Sequence, residues 1–342
     1  MNNANIIYAL GVHKGGGLII LKEFLKKKKN YFYYFDSRLS PIHYKNIKHY
    51  KVIKKNLISI LKLYSTIPEK TKNIIFINGL PPFLSLRKNV FVLFQNLNIF
   101  PPKKIINFLL WFFSFDFLRY INFKLGYKNV ITWYVLSDVA KTVLERNLEK
   151  CDKIVKLMFF DLNQNTNNTI KKYDFIYPAD LKRHKNHKKV IMALLDLEKQ
   201  NIKPSFLFTL TNTEKKKLKF DQLKKKINIY NFDKHNDRSS FLDSLKKTNC
   251  LFFPSHNETI GLPILEAFNQ NLIIATANRT YAKQFVIPDF TFNPNSVDSI
   301  KQTIKKIYFI KKNNTTNTYK KSKKVKLSYF LQKDQFFKNI MK

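Results

Sequence analysis

The chain has 342 residues, longer than one ordinary core, so two domains are expected. Hydrophobic residues make up 44% and aromatics 15%, which excludes a disordered or coiled-coil chain. The formal net charge of +39 points to a polyanion (nucleic acid, an anionic membrane or phosphorylated substrates), yet only seven of the 62 basic residues are Arg.

Short apolar runs alternate with amphipathic stretches, the pattern of βα units around parallel sheets. Asn5–Leu10 reads as a strand, Gly11–Gly17 as a Gly-bearing loop, and a helix follows to about Lys29. Further strands are predicted at Tyr31–Phe35, Ile74–Ile77, Val90–Phe94 and Val130–Leu136, with helices near Lys54–Tyr64, Lys103–Tyr120 and Asp138–Leu148. A strand near Lys153–Met158 closes this half, and the polar run Asp161–Thr169 reads as a linker. The alternation restarts with a strand at Tyr173–Tyr177, a helix at His187–Glu198 and a strand at Phe206–Leu210. A helix ends at Asp243–Lys247, and then come strand Cys250–Phe253, helix Pro263–Phe268 and strand Leu272–Ala275. After Ser299 the chain turns helical and Lys-rich, ending in the aromatic-bearing stretch Tyr329–Ile340. Two doubly wound α/β domains with a cleft between them is the architecture this supports.

Lys, Asn, Ile, Phe and Tyr are abundant and have A/T-rich codons, so base composition is expected to account for most of the charge. Cys151 and Cys250 have no metal or redox spacing and fit buried apolar positions in a reducing compartment. Ile6–Val12 is too short for a secretory signal. The longest apolar stretch, Ile105–Phe115, is too short to span a bilayer. It reads either as a buried core helix or as a segment at a membrane interface, flanked by Lys103, Lys104 and Arg119.

The most informative segment is Pro254–Thr276, PSHNETIGLPILEAFNQNLIIAT. A buried strand ends at Pro254, a loop follows, and a helix begins around Leu262–Pro263, where Pro is favoured. Free N–H groups of Gly261, Leu262, Ile264 and Leu265 at this helix start would form an anion site suited to a diphosphate. Glu258 and Glu266 flank the turn; a carboxylate accepts two sugar hydroxyls at once, so the pair fits a nucleotide sugar. Glu occurs only eight times in the chain, which makes two flanking one turn informative.

FPSHNETIGLPILEAF followed by LIIAT resembles the E-x7-E signature of family-four retaining glycosyltransferases with the GT-B fold. The resemblance implies that Glu258 contacts the donor sugar and Glu266 the nucleotide ribose. Tyr177–Leu194, with its H-K-N-H run, resembles one branch of that family, in which Lys185 corresponds to the lysine of the donor diphosphate. The family's partner Arg is replaced by Asp180, leaving Lys182 or Arg183 to substitute. His184 and His187 suggest a metal only weakly, since no third His lies near in sequence; helix capping by Asn186 or His187 is the preferred role. Gly11–Leu21 lacks the endings of a P-loop or dinucleotide fingerprint and is similar to the branch's Gly-rich cleft loop, with Gly15, Gly16 and Gly17; the alternative is a plain turn. Phe91–Asn98 also resembles the branch and offers Gln95 and Asn96 as polar cleft contacts, while Tyr281 and Phe292–Pro294 fit downstream.

The resemblance implies two Rossmann-like domains: residues 1–165 on the acceptor side, 166–310 binding the nucleotide sugar, and a helical segment 311–342 packing back toward the first. It implies transfer of a sugar with retention to a glycan or lipid-linked acceptor, in cell-surface polysaccharide assembly. No cofactor or metal is expected, and no D-x-D triplet is present. A cytoplasmic location with peripheral contact to an anionic membrane is expected, and nucleic acid is not expected as a partner. The alternatives are a non-catalytic GT-B protein binding polyanions or membrane, and an epimerase or phosphorylase on the same fold.

Overall fold

β-branched and aromatic runs, bounded by polar turns, build parallel sheets in a computed structural model of the chain. The structure describes residues 5–13, 15–26, 31–54, 56–102, 109, 111–148, 153–159, 162, 169–233, 238–313, 323–324 and 331–339. Lys103, Lys104, Cys151 and most of the expected linker lie outside them. The chain divides into two units, Met1–Phe159 with Tyr329–Lys342, and Phe160–Ser328.

The first unit runs β1 (Asn5–Ala9), α1 (Gly15–Lys26), β2 (Phe32–Asp36), β3 (Tyr50–Ile53), α2 (Leu57–Ser65), β4 (Asn73–Phe76) and β5 (Asn89–Phe94). It continues with α3 (Phe115–Gly126), β6 (Thr132–Val135), α4 (Asp138–Glu145) and β7 (Lys153–Met158). These strands pair in parallel in the order β7-β6-β5-β4-β1-β2-β3. The central strands are buried on both faces, as in β4, where every residue is buried, so they read as continuous apolar runs. Trp133, Phe94 and Phe123 form the aromatic centre on one face, with Trp133 5.5 Å from Phe123 and 6.3 Å from Phe94. Helix starts are set by side-chain caps: Asn56 accepts from the Ser59 amide and Ser137 from that of Ala140.

Two expectations are corrected here. The Gly-rich loop is shorter than Gly11–Gly17, because α1 already begins at Gly15; Gly15, Gly16 and Gly17 are its first turn. The helix expected over Lys103–Tyr120 is interrupted: Ser114 accepts from the Asp116 amide and starts a new helix, α3. The described part of Ile105–Phe115 is not a core helix either. Trp111 is buried, but Leu109, Phe112, Phe113 and Phe115 are exposed, Phe113 by 85%.

At the end of β2, Asp36 is fully buried and accepts from the Arg38 Nε and Nη2, both at 2.8 Å, and from the Gly11 amide at 2.6 Å. Burial alone would raise its pKa; the Arg38 guanidinium, the Arg38 amide and the Gly11 amide outweigh it and hold the carboxyl well below the ordinary range. A depressed native pKa stabilises the fold above the ordinary carboxylate value near pH 4 and loses that contribution as pH falls below it. Asp36→Asn is therefore expected to destabilise the chain at pH 7 by ~1–3 kcal/mol. Urea unfolding at pH 7 and pH 3 checks this, with the difference from the unaltered chain shrinking at the lower pH.

The second unit runs β8 (Tyr173–Tyr177), α5 (His187–Glu198), β9 (Phe206–Phe208), α6 (Asn212–Leu218), α7 (Phe220–Lys224), β10 (Ile229–Asn231), α8 (Arg238–Lys246) and β11 (Thr248–Phe253). Then come α9 (Leu262–Asn269), β12 (Ile273–Ala277), α10 (Thr280–Lys283), β13 (Val286–Ile287), β14 (Phe290–Phe292), α11 (Val297–Lys312) and β15 (Lys323–Lys324). Its parallel sheet has the order β10-β9-β8-β11-β12-β14, and β13 pairs antiparallel with β15 apart from it. Stacked rings tie the strands together: Phe175 on β8 lies on Phe206 of the neighbouring β9 at 4.9 Å, and Phe252 on β11 meets Phe292 of β14, one strand beyond β12, at 4.6 Å. Cys250, on β11, is buried, as expected.

The chain returns to the first unit with β16 (Leu331–Gln332), parallel to β7, and α12 (Lys333–Asn339). Phe336 and Phe337 are buried there, with rings 5.9 and 5.0 Å from Phe24.

Candidate functional site

In each sheet the strand order reverses beside the first strand of its unit, between β1 and β4 and between β8 and β11. The connections leave such neighbouring strands in opposite directions, opening a crevice at their carboxyl ends where ligands bind in open α/β sheets. Of the sequence-predicted site residues, those of the second unit lie on the loops after β8 and β11 or on α9, Gly15–Gly17 begin the helix after β1, and Gln95 and Asn96 follow β5, one strand beyond the reversal.

In the second unit, the loop after β8 carries Lys185 and the loop after β11 carries Glu258. They meet: Lys185 Nζ forms an ion pair with Glu258 Oε1, with side chains 13% and 16% exposed. The Lys185 ammonium also lies 5.9 Å from the centroid of the Phe253 ring, the last residue of β11. The lysine is aimed by its backbone. Residues Arg183–Lys185 form one 3-10 turn, the buried Tyr177 hydroxyl donates to the Lys185 carbonyl, and Asn186 turns into the left-handed region at φ 66°.

The two loops are joined by their own hydrogen bonds. The His256 amide donates to the His184 carbonyl at 2.8 Å, and Asn186 Nδ2 donates to the Pro294 carbonyl at 2.8 Å. Asn186 is the N-cap residue of α5, but its side chain makes no cap bond, which corrects the expected role. His187 is no cap or exposed ligand. It is buried with its ring 4.6 Å from that of Tyr177, and burial pushes its pKa down to about 4, so it is neutral at pH 7.

Beyond Glu258 the loop is held by groups that sequence reasoning did not single out for this purpose. Gln284 Nε2 donates to the Thr259 and Ile260 carbonyls at 3.1 and 3.3 Å, and the Tyr281 hydroxyl donates to the Ser255 carbonyl at 2.7 Å. Gly261 caps α9 at φ 72°, where a side chain is strained; a Cβ there would also lie 3.1 Å from Ile264 Cδ1 and 3.4 Å from the Tyr281 ring. The amide of Leu262 begins the helix without an intrahelical acceptor, and Pro263 has no amide hydrogen. Ile264 is a correction: its N–H donates to the Gly261 carbonyl at 2.8 Å and is not free for an anion. Glu266 is half-buried in α9, opening its second turn.

The remaining basic residues are not drawn to Glu258. Lys182 pairs at 2.8 Å with Asp180, the residue standing in the Arg position, and is 62% exposed. Arg183 is exposed at the start of the 3-10 turn. Glu214 was missed by sequence reasoning. It closes a capping box with Thr211 and accepts from the Leu181 amide at 2.7 Å, fixing the loop that bears Lys185. The spacing T-x-x-E before a helical run was the readable signal.

In the first unit, Gln95 follows β5 and its Nε2 donates to the Ile77 carbonyl at 3.0 Å, just past β4. A Cβ on Gly17 would lie 4.0 Å from Gln95 Oε1, so α1 and Gln95 are neighbours; Asn96 is half-buried beside them. Gly79, at φ 82°, was not foreseen. A Cβ there would sit 3.2 Å from the Gln95 amide nitrogen, so the chain after β4 can pass this close to β5 only as glycine.

No curated protein sequence matches the chain. Among solved structures it is similar to HepE of Anabaena in complex with UDP and glucose, with a TM-score of 0.68 at 13% identity, over 92% of this chain and 91% of that one. It is similar to sucrose-phosphate synthase of Thermosynechococcus elongatus (TM-score 0.63, 12% identity, 89% of each chain). The same holds for WaaG, a glycosyltransferase involved in lipopolysaccharide biosynthesis (TM-score 0.61, 14% identity, 89% of this chain and 90% of that one). These likenesses, with the two parallel sheets, show a GT-B fold built from two Rossmann-like units. Residues 160–325, which include Lys185, Glu258 and Glu266, match the family model of glycosyl transferases group 1.

Proposed function

We propose that the chain is a retaining glycosyltransferase that moves a sugar from a nucleotide-sugar donor to a glycan or lipid-linked acceptor in cell-surface polysaccharide biosynthesis. The observation that carries this reading is the Lys185–Glu258 pair at the strand-order reversal of the unit that matches the family. Similar folds crystallised with UDP and UDP-glucose support the donor class, and WaaG supports the setting. Lys185 and the start of α9 would neutralise the departing diphosphate, Glu258 would hold the donor sugar and Glu266 the ribose. The acceptor hydroxyl would attack on the face the diphosphate leaves, with the protein positioning both rather than supplying a nucleophile.

A thermal-shift panel of UDP-, GDP- and dTDP-sugars tests the reading, since a ligand that binds only the native state raises its melting temperature. A stabilising donor should then give a new α-linked product from an α-linked donor by NMR. An inverted sugar centre or a sugar phosphate would identify an epimerase or phosphorylase instead. No response to any donor would favour a non-catalytic polyanion binder.

A peripheral membrane location is part of the proposal. No helix among the described residues is long and apolar enough to cross a membrane. On α3, however, Phe115, Leu118, Ile121 and Leu125 are 81, 59, 40 and 64% exposed, and their spacing aligns them along one side. Lys124 lies on the same helix and suits anionic headgroups, while the Arg119 guanidinium pairs with Asp116 at 2.6 Å. Phe115→Glu with Leu118→Glu is expected to weaken co-sedimentation with phosphatidylglycerol vesicles by at least roughly tenfold, since each buried side chain contributes ~1.5–3 kcal/mol. Transfer to a soluble acceptor should be unchanged.

A further inference from the structure

A second concave site lies in the first unit, at the opposite end of the sheet from the loops after β1, β4 and β5. A cavity of about 780 Å³ opens between the last turns of α1, the residues entering β2 and the crossover from β2 to β3. Its wall holds Lys22, Lys45, Lys48, His43, His49 and Tyr31 and, among the described residues, no carboxylate. Lys26 also lines it, but its ammonium pairs with Glu23 at 2.6 Å. His43 is pushed below its ordinary pKa by burial and then by the charge of Lys22, so the Lys22 ammonium reaches this imidazole without a neutralising acid on the wall. Like charges gathered around a concavity without acids make a positive potential that an anion satisfies.

Tyr31 adds a polar group to the wall. It is 2% exposed, and its hydroxyl has no hydrogen-bond partner among the described residues. A buried hydroxyl without a partner forfeits its hydration with nothing in return, and such groups call for an explanation. The neighbouring Tyr33 ring is edge-on at 6.1 Å, but its hydroxyl is spent on the Phe24 carbonyl at 3.3 Å. Burial raises the Tyr31 phenol to about 12, so it carries its proton at neutral pH and can donate. A Lys-rich surface alone would be solvated and flat. A buried donor on the same wall as ammonium groups that have no carboxylate partner among the described residues is a different arrangement.

We propose that this cavity binds a phosphate ester, with Lys22, Lys45 and Lys48 supplying charge and the Tyr31 hydroxyl donating to a phosphate oxygen. The volume is in the range of small-molecule sites and exceeds what bare phosphate fills, leaving room for the esterified group. The ester comes either from a free phosphorylated small molecule or from a phospholipid headgroup; the chemistry at the wall is the same.

The test uses the full chain and two probes, sn-glycerol 3-phosphate by isothermal titration and phosphatidylglycerol vesicles by co-sedimentation, with phosphatidylcholine as control. Lys45→Ala/Lys48→Ala changes exposed loop positions and should leave the melting temperature unchanged. It should weaken the productive probe by roughly tenfold or more, as expected for charge-assisted hydrogen bonds. Tyr31→Phe should weaken it about threefold to tenfold while leaving the phosphate-free melting temperature unchanged or raised, because the lost hydroxyl had no internal partner. Glycerol phosphate binding that depends on these residues identifies a free ester; dependence seen only with vesicles identifies a headgroup. The proposal is overturned if both variants bind both probes as the unaltered chain does, or if Tyr31→Phe lowers the phosphate-free melting temperature.

Discussion

Glu258→Gln is expected to cut sugar transfer by ~10²–10³-fold while UDP binds at least as tightly as to the unaltered chain. The physical reason is the ion pair: without donor, the Lys185 ammonium is already engaged by Glu258, and both side chains are largely buried. A donor diphosphate must share or displace that carboxylate. Glutamine keeps the shape and removes the charge, so the competition disappears and UDP affinity should rise several-fold, each tenfold being worth ~1.4 kcal/mol. Transfer is lost because the carboxylate that would hold the donor sugar is gone. Titration calorimetry with UDP and product analysis with the stabilising donor separate the two effects. Full turnover in this variant would remove Glu258 from the catalytic machinery.

Lys185→Met acts in the opposite direction on binding. It leaves the Glu258 carboxylate largely buried without its cation, next to where the diphosphate would lie. UDP affinity and turnover should both fall by ~10²-fold or more, and the unfolding free energy by ~1–3 kcal/mol. Combining it with Glu258→Gln removes the unpaired charge, so stability should recover while transfer stays absent. A coupling energy of ~0.5–3 kcal/mol from this double-mutant cycle would measure the pair. Additive stability effects would show that the two residues do not interact.

The most legible parts of the molecule in its sequence were those with a strong local cause. Tyr173–Tyr177, His187–Glu198 and Lys153–Met158 have the predicted boundaries, because dense apolar runs met clear turn or cap residues. β3 was missed because Tyr50, Lys51 and Val52 are exposed and its pattern is that of a partly solvated edge. The helices α6 and α7 were missed because NTEKKKL and FDQLK are short and poor in apolar residues; the Thr211–Glu214 capping box carries the first of them. At the site, the E-x7-E spacing was readable, since both glutamates belong to one strand–loop–helix unit. The Lys185–Glu258 pair was not. Its partners are 73 positions apart and meet only because β8 and β11 become neighbours where the strand order reverses. The expected free amide of Ile264 failed for a local reason, the tight turn closed by the Gly261 carbonyl.

The return of the chain to the first unit sets an order of events during synthesis. One edge of the β7 strand and the aromatic surface of Phe24 and Phe159 are covered by residues 331–339, which leave the ribosome only after the whole second unit. Until then the first sheet has an open edge beside a patch of aromatic rings, the kind of surface that pairs with other chains. A nascent chain stalled anywhere before residue 331 should therefore be a substrate for chaperones even when its second unit has folded.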